Sequence, residues 1–404
     1  MCNMDLKNFL LTNCLILILS VSAHEQKEFS VNSDVGDLNS DIYLDSLQFI
    51  AKYSDINPEK HLVTTKDSYV VSLFRIPASG PPVILVHGIS DSSDSWLVMG
   101  AENSLAFQLS DAGFDVWMYN ARGNKYSKSH RKNITDKAYW DFSFEEMGTL
   151  DLPATIDYIL AVTSQPKLSY VGFSQGTTIF FIMCSLRPEY NDRINHAVLL
   201  APVAWLNNIK YPLIEFFTNN LDRLAFLADL FGVYEVFSSN PLRTDYYAKA
   251  CRGGAPHKVL CDLEYYVSYG IKNTENIPSE SFPVIASHIP AGTSAKTFKH
   301  FLQMYRSKRF QRFDNGLEQN KRIYGRSQPP EYNLSNISVP LTMIVSEVDW
   351  FSNIKDIKIL SSKLPNVARF IVLNKTLDFS HLDPLGFACV YRSTREICCR
   401  PSLM

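Results

Sequence analysis

The stretch Leu168-Ser169-Tyr170-Val171-Gly172-Phe173-Ser174-Gln175-Gly176-Thr177-Thr178-Ile179-Phe180-Phe181-Ile182-Met183 reads as a buried strand, a tight turn and a helix. Its centre, Gly172-Phe173-Ser174-Gln175-Gly176, is a G-x-S-x-G pattern. A serine on so sharp a strand-to-helix turn is held out at the strand end as a nucleophile, and the flanking glycines remove side chains that would strike neighbouring backbone. A Gly-rich turn without chemistry shares the bare pattern. The apolar run before it and the helical run after it are what distinguish this one.

Outward from this turn the chain alternates short β-rich runs with helical patterns. Candidate strands are Tyr69–Ile76, Pro82–Val86, Asp115–Tyr119, Leu168–Gly172, Ala197–Pro202, Leu341–Val345 and Arg369–Leu373. Several are unbroken Val/Ile/Leu runs, as expected of strands covered on both faces. Helical patterns at Glu102–Ala112, Glu145–Val162 and Gln175–Leu186 fall between them. The class is α/β, with a mostly parallel, doubly wound sheet. The rhythm stops across residues 205–340, which read as an inserted cap between a first core segment, 24–204, and a second, 341–404.

The 404 residues are 46% hydrophobic and 20% charged, with 39 Lys+Arg against 41 Asp+Glu. That balance excludes a disordered chain and a nucleic-acid binder, both of which need a strong charge bias. Residues 1–23 read as a signal peptide: Lys7, an apolar stretch from Phe9 to Val21, then Val21-Ser22-Ala23 with small residues where cleavage needs them. No later segment is long and apolar enough to span a bilayer. A secreted or lysosomal location follows as an expectation. Cys251 and Cys261 flank a loop containing Gly253-Gly254 that could close a local disulfide, and Cys184 lies in an apolar run. Asn133, Asn333, Asn336 and Asn374 head N-x-S/T sequons, about as many as chance supplies.

A serine hydroxyl needs a base to take its proton and a carboxylate to orient that base. On this kind of turn the order along the chain is serine, acid, histidine. His381 follows the last candidate strand in a polar loop, whereas His257, His288 and His300 lie inside the inserted block and His196 at a strand entrance. Asp349 follows the strand Leu341–Val345 at its carboxyl end, where catalytic groups of open α/β sheets gather. Asp356, Asp378 and Asp383 compete with it, the first inside a helical stretch and the other two too close to His381 in sequence. His87-Gly88-Ile89 after the strand Pro82–Val86 offers the backbone N–H of Ile89, beside that of Gln175, as an oxyanion hole. No metal and no cofactor is called for.

Further motifs are His61-Leu62-Val63-Thr64-Thr65, Arg75-Ile76-Pro77, Glu102-Asn103-Ser104-Leu105-Ala106-Phe107, Asn120-Ala121-Arg122-Gly123-Asn124, Trp140-Asp141-Phe142-Ser143-Phe144, Asp151-Leu152-Pro153-Ala154-Thr155, Pro290-Ala291-Gly292-Thr293-Ser294, Asp349-Trp350 and His381-Leu382-Asp383. With these the chain resembles, from about Asn39 to Tyr391, the secreted acid lipases of the α/β-hydrolase fold, which include the gastric and lysosomal enzymes. The resemblance implies a Ser174, Asp349, His381 triad, a cap with a lid, and hydrolysis of neutral lipid esters, triacylglycerol or sterol ester, at a lipid–water interface. It departs from the family pattern at Phe173, where a histidine is usual, at Ser68, where glycine is usual, and around Ser346-Glu347-Val348 and Pro384-Leu385-Gly386. A silent lipid carrier and an acyltransferase are the alternative readings of the same residues.

Overall fold

The computed structural model describes residues 40–270 and 281–382. Residues 1–23, read as a signal peptide, lie outside the described residues, as do Cys389, Cys398, Cys399 and Asp383. The unbroken apolar runs form the middle of one twisted nine-stranded sheet. Its strands are β1 (Glu59–Thr64), β2 (Tyr69–Ile76), β3 (Pro82–Val86), β4 (Asp115–Tyr119), β5 (Ser129–His130), β6 (Leu168–Phe173), β7 (Ile194–Leu200), β10 (Leu341–Ser346) and β11 (Val367–Leu373). The order is β1-β2-β4-β3-β6-β7-β10-β11, with β5 on β2. From β4 to β11 all pairs are parallel, and β1, β2 and β5 add an antiparallel edge.

β3, β4 and β6 are buried at every position, which is why they carry no polar alternation. One apolar cluster packs each face. Leu152–Thr163 and Gln175–Leu186 supply one, and the helices Ser46–Tyr53 and Leu105–Asp111 contribute to the other.

Three differences from the sequence reading have local causes. The expected strand Ala197–Pro202 runs instead from Ile194 to Leu200, because Ala201 turns to φ 45°. The expected helix Glu102–Ala112 is two helices, broken where Ser104 is extended. The expected helix Glu145–Val162 is interrupted by a wide turn at Met147–Asp151 that buries Gly148 and Asp151. There a Cβ on Gly148 would lie 2.8 Å from the carbonyl oxygen of Ile179.

Between β7 and β10 the chain is helical, with Ile214–Asn219, Leu221–Leu230, Pro241–Ala250, Lys258–Tyr269, Ser281–His288, Ala295–Ser307 and Leu317–Tyr324, plus a two-stranded ribbon of β8 (Glu235–Val236) and β9 (Thr293–Ser294). Cys251 and Cys261 form a disulfide that ties the end of the helix Pro241–Ala250 to the helix Lys258–Tyr269, and Cys184 is a buried free thiol. Asn133, Asn333, Asn336 and Asn374 are all exposed. Among the described residues, no helix is long and apolar enough to cross a membrane.

Candidate active site

Ser174 stands at the end of β6 with φ 50° and ψ −115°, a conformation that costs free energy for any residue with a side chain. Its surroundings fix it there. Its N–H donates to the carbonyl of Leu200, and its own carbonyl accepts from the hydroxyl of Thr177 at 2.7 Å. A Cβ at Gly172 would lie 2.8 Å from the Tyr170 ring and 3.0 Å from the backbone of Gly176. At Gly176 it would lie 2.3 Å from the carbonyl oxygen of Val86. Both glycines are therefore required by close approach, and the helix Gln175–Leu186 starts against β3 only because they are there.

Two further loops bring polar groups to this turn. His381 Nε2 lies 2.8 Å from Ser174 Oγ, and His381 Nδ1 lies 2.8 Å from Asp349 Oδ2 and 3.0 Å from Oδ1. Asp349 Oδ1 also accepts the N–H groups of Phe351 and Ser352, at 2.8 and 2.9 Å, so the carboxylate is held from behind. Ser174, His381 and Asp349 are 6%, 6% and 2% exposed. The rings of Phe173 and Phe351 flank the imidazole at 5.3 and 5.0 Å. In this arrangement the Nδ1 proton belongs to the carboxylate side, which leaves Nε2 free to take the serine proton.

The other candidates are engaged elsewhere. Asp356 accepts from the backbone and side chain of Asn208 at 2.8 and 2.6 Å. His196 contacts Thr342, His257 is exposed, His288 is bound to Asp94, and His300 lies between Ser143 and the carbonyl of Gln311. Burial pushes His300 down to about 4, so it is a neutral packing residue.

The turn after β3 approaches the serine closely: a Cβ on Gly88 would lie 3.0 Å from the Phe173 ring and 3.4 Å from Cβ of Ser174. This brings Ile89 and Ser174 into the wall of one cavity. His87, which the sequence offered only as part of a turn, has a part of its own. Its Nε2 accepts the N–H of Ala121 at 3.1 Å, so its proton sits on Nδ1 and is donated to the carbonyl of Gly88 at 2.7 Å. Burial lowers His87 to about 4 and keeps it in this neutral form. The HG pair was the available signal; what it could not show was that the imidazole braces the turn.

The cavity over Ser174 measures about 1790 Å³. Besides Gly88, Ile89, Ser174 and His381, its wall is mainly apolar, with Leu206, Ile214, Phe216, Leu224 and Phe298, and it also carries charged side chains such as Arg243, Glu264 and Lys296. A small polar group at the base of so large an apolar space suits an ester carried on long hydrocarbon chains.

Residues 81–385 match the model of the alpha/beta hydrolase fold, and residues 47–100 match a partial alpha/beta-hydrolase lipase region. Lipase 3 of Drosophila melanogaster is 40% identical over 326 residues, 77% of this chain and 81% of that protein. The gastric triacylglycerol lipase of Rattus norvegicus is 33% identical over 382 residues, 91% of this chain and 94% of that protein. The lysosomal acid lipase/cholesteryl ester hydrolase of Homo sapiens is 35% identical over 348 residues, 83% of this chain and 84% of that protein. The chain belongs to the acid lipase family. Family membership makes it a lipase, a carboxylic ester hydrolase. A solved Sulfolobus solfataricus chain, 16% identical, shares the fold with a TM-score of 0.56, covering 84% of this chain and 91% of its own. The family model spans both loops that carry Asp349 and His381, although more than 170 residues separate them from the serine.

Proposed function

We propose that this lipase hydrolyses esters of neutral lipids, triacylglycerols or sterol esters, through a Ser174, His381, Asp349 triad. The observation that carries the reading is the continuous hydrogen-bond chain from Ser174 Oγ through His381 to Asp349 in the wall of a large apolar cavity. Ser174 Oγ attacks the ester carbonyl as its proton passes to His381 Nε2. The negative charge that forms on the carbonyl oxygen is met by the N–H groups of Ile89 and Gln175. The imidazolium, stabilised by Asp349, then protonates the departing alcohol. Water enters by the same route in reverse and releases the fatty acid.

Residues 205–340 act as a cap over this site. The helix Leu221–Leu230 supports that role. Leu224, Ala225, Phe226 and Leu227 line the cavity, while Phe226, Leu230 and Phe231 at its end are 68%, 63% and 69% exposed. An exposed apolar cluster at a cavity wall suits contact with a lipid aggregate. A secreted or lysosomal location, with N-glycosylation at the exposed sequons, accords with the family and with the leader-like residues 1–23.

A substrate panel of emulsified trioleoylglycerol, cholesteryl oleate and a short-chain ester, assayed between pH 4 and 8 with Ser174→Ala as control, tests the reading. Turnover of at least one long-chain neutral ester that vanishes in Ser174→Ala is expected. A folded protein that hydrolyses none of them contradicts it.

A further inference from the structure

Among the charged groups of the cavity wall, one is short of hydrogen-bond partners. Arg243, on the first turn of the helix Pro241–Ala250, lines the same cavity as Ser174 and His381. Its Nε is buried and has no hydrogen-bond partner. Its other contacts are long: Nη2 to the Tyr247 hydroxyl at 3.3 Å, Nη1 to the carbonyl of Ser238 at 3.5 Å, and its guanidinium carbon 5.1 Å from the Tyr247 ring. Folded chains rarely leave a buried guanidinium N–H without an acceptor, because the group stays charged at every accessible pH.

The nearby carboxylate does not satisfy it. Glu264, on the helix Lys258–Tyr269, also lines the cavity, but its hydrogen bond is taken by the Tyr247 hydroxyl, which stands between it and Arg243. Burial pushes the Glu264 carboxyl up, against the lowering pull of Tyr247 and Arg243. A protonated Glu264 leaves the charge of Arg243 uncompensated by this carboxyl.

The position relative to the serine is also constrained. The helix carrying Glu264 ends at Gly270, where a Cβ would lie 2.7 Å from the indole of Trp350, the residue after Asp349. Glu264 precedes Gly270 by six residues, roughly 9 Å along a helix axis at about 1.5 Å per residue. Arg243 and Glu264, which both reach the Tyr247 hydroxyl, line the same cavity as Ser174 and His381.

We propose that Arg243 is an anion-recognition site within the cavity, receiving the acidic head group, phosphate or carboxylate, of an amphiphilic acyl lipid. A guanidinium whose Nε–H is unused and whose Nη groups make only the long contacts to Tyr247 and Ser238 retains donors that such oxygens accept. The cavity then holds acidic amphiphiles as well as neutral esters. The binding claim stands on Arg243 alone; any turnover of such lipids rests also on the reading of Ser174.

The test is calorimetric titration of the full chain carrying Ser174→Ala with dodecyl phosphate, dodecanoate and dodecanol, each below its aggregation threshold and at fixed low ionic strength. At least one anionic ligand is expected to bind about tenfold or more tighter than dodecanol, the scale of a charge-assisted pair. Arg243→Met should remove that advantage and leave dodecanol affinity unchanged, while Arg243→Lys should keep part of it. The stronger of the two anions identifies the head group. Equal affinity for all three ligands overturns the proposal without needing any Arg243 variant to fold, as does an advantage that survives Arg243→Met. Parallel assays of the Ser174 chain that detect no ester hydrolysis would refute the catalytic reading and leave the binding result to be judged separately.

Discussion

Gly176 faces the carbonyl oxygen of Val86 so closely that a Cβ at that position would lie 2.3 Å from it, and 3.0 Å from the carbonyl oxygen of His87. The contact joins the helix that follows Ser174 to the strand that leads into Ile89. Both atoms met are backbone, so no side-chain rotation relieves the clash. Gly176→Ala is expected to destabilise the fold by about 2 to 4 kcal/mol in urea unfolding. It should also lower kcat in the fraction that folds, since the Ile89 turn must move. Unchanged stability and activity would show that the two elements are not coupled in this way.

Asp349→Asn isolates the orienting role of the carboxylate. The amide oxygen can still accept from Phe351 and Ser352, but its NH2 would face His381 Nδ1 and favour the wrong tautomer. A fall in kcat of about 10⁴ is expected, on the scale known for such a change in other serine hydrolases, with a small change in unfolding midpoint. Loss of less than tenfold would remove Asp349 from the triad.

Asp91 gives the fold a pH dependence of defined sign. Burial pushes its carboxyl up to about 7, although Ser95 and the N–H of Ser92 hydrogen-bond to it. Between about pH 4 and 7 the folded chain therefore keeps a proton that the unfolded chain has lost. Its contribution is fully present below about pH 4 and is lost as pH rises through about 7. Asp91→Asn carries no such proton. Its Tm should match that of the parent near pH 4 and exceed it at pH 8. His87, lowered to about 4 by burial, acts in the opposite sense, but it is common to both proteins and cancels from the difference. An equal Tm difference at both pH values would rule Asp91 out.

Phe226 and Phe231 are 68% and 69% exposed, so their removal should cost little stability. Phe226→Ser with Phe231→Ser is expected to lower the rate on emulsified triacylglycerol several-fold while leaving a dissolved short-chain ester within about twofold. An equal loss on both would place these residues in acyl binding instead of interface contact.

Much of the core was legible because its signals are local. β6 and the helix Gln175–Leu186 follow from an apolar run, two glycines and a helical run, and the structure places them within a residue of the expected ends. β1 was missed because it is an edge strand with alternating, largely polar positions, and nothing in Glu59–Thr64 resembles a buried run. The wide turn at Met147–Asp151 depends on Asp151 reaching Arg122 and Tyr119, contacts about 30 residues away that no periodicity encodes. At Ser68, φ 78° is a left-handed conformation that glycine adopts without steric cost.

The same division holds at the site. Ser174, Asp349 and His381 could each be placed at a strand end by chain order, and the structure brings them within hydrogen-bonding distance. His87 as a brace, the flanking rings of Phe173 and Phe351, and the unpartnered Nε of Arg243 depend on which faces meet in space. The helical block was recognisable by the break in the βα rhythm and by the Phe-, Leu- and Tyr-rich segment Tyr211–Phe237. Its helices alternate with no strands of the central sheet, and what their faces enclose is a cavity built from several separate elements, which no local pattern encodes.

The most direct measurement is active-site labelling of the folded full chain with a fluorophosphonate carrying a long alkyl group, followed by peptide mapping and by titration of residual esterase activity. The account predicts one label per chain, on the peptide containing Gly172-Phe173-Ser174-Gln175-Gly176, with activity falling in proportion and no labelling of Ser174→Ala. Labelling at another residue, or full activity retained after stoichiometric modification of Ser174, would contradict it.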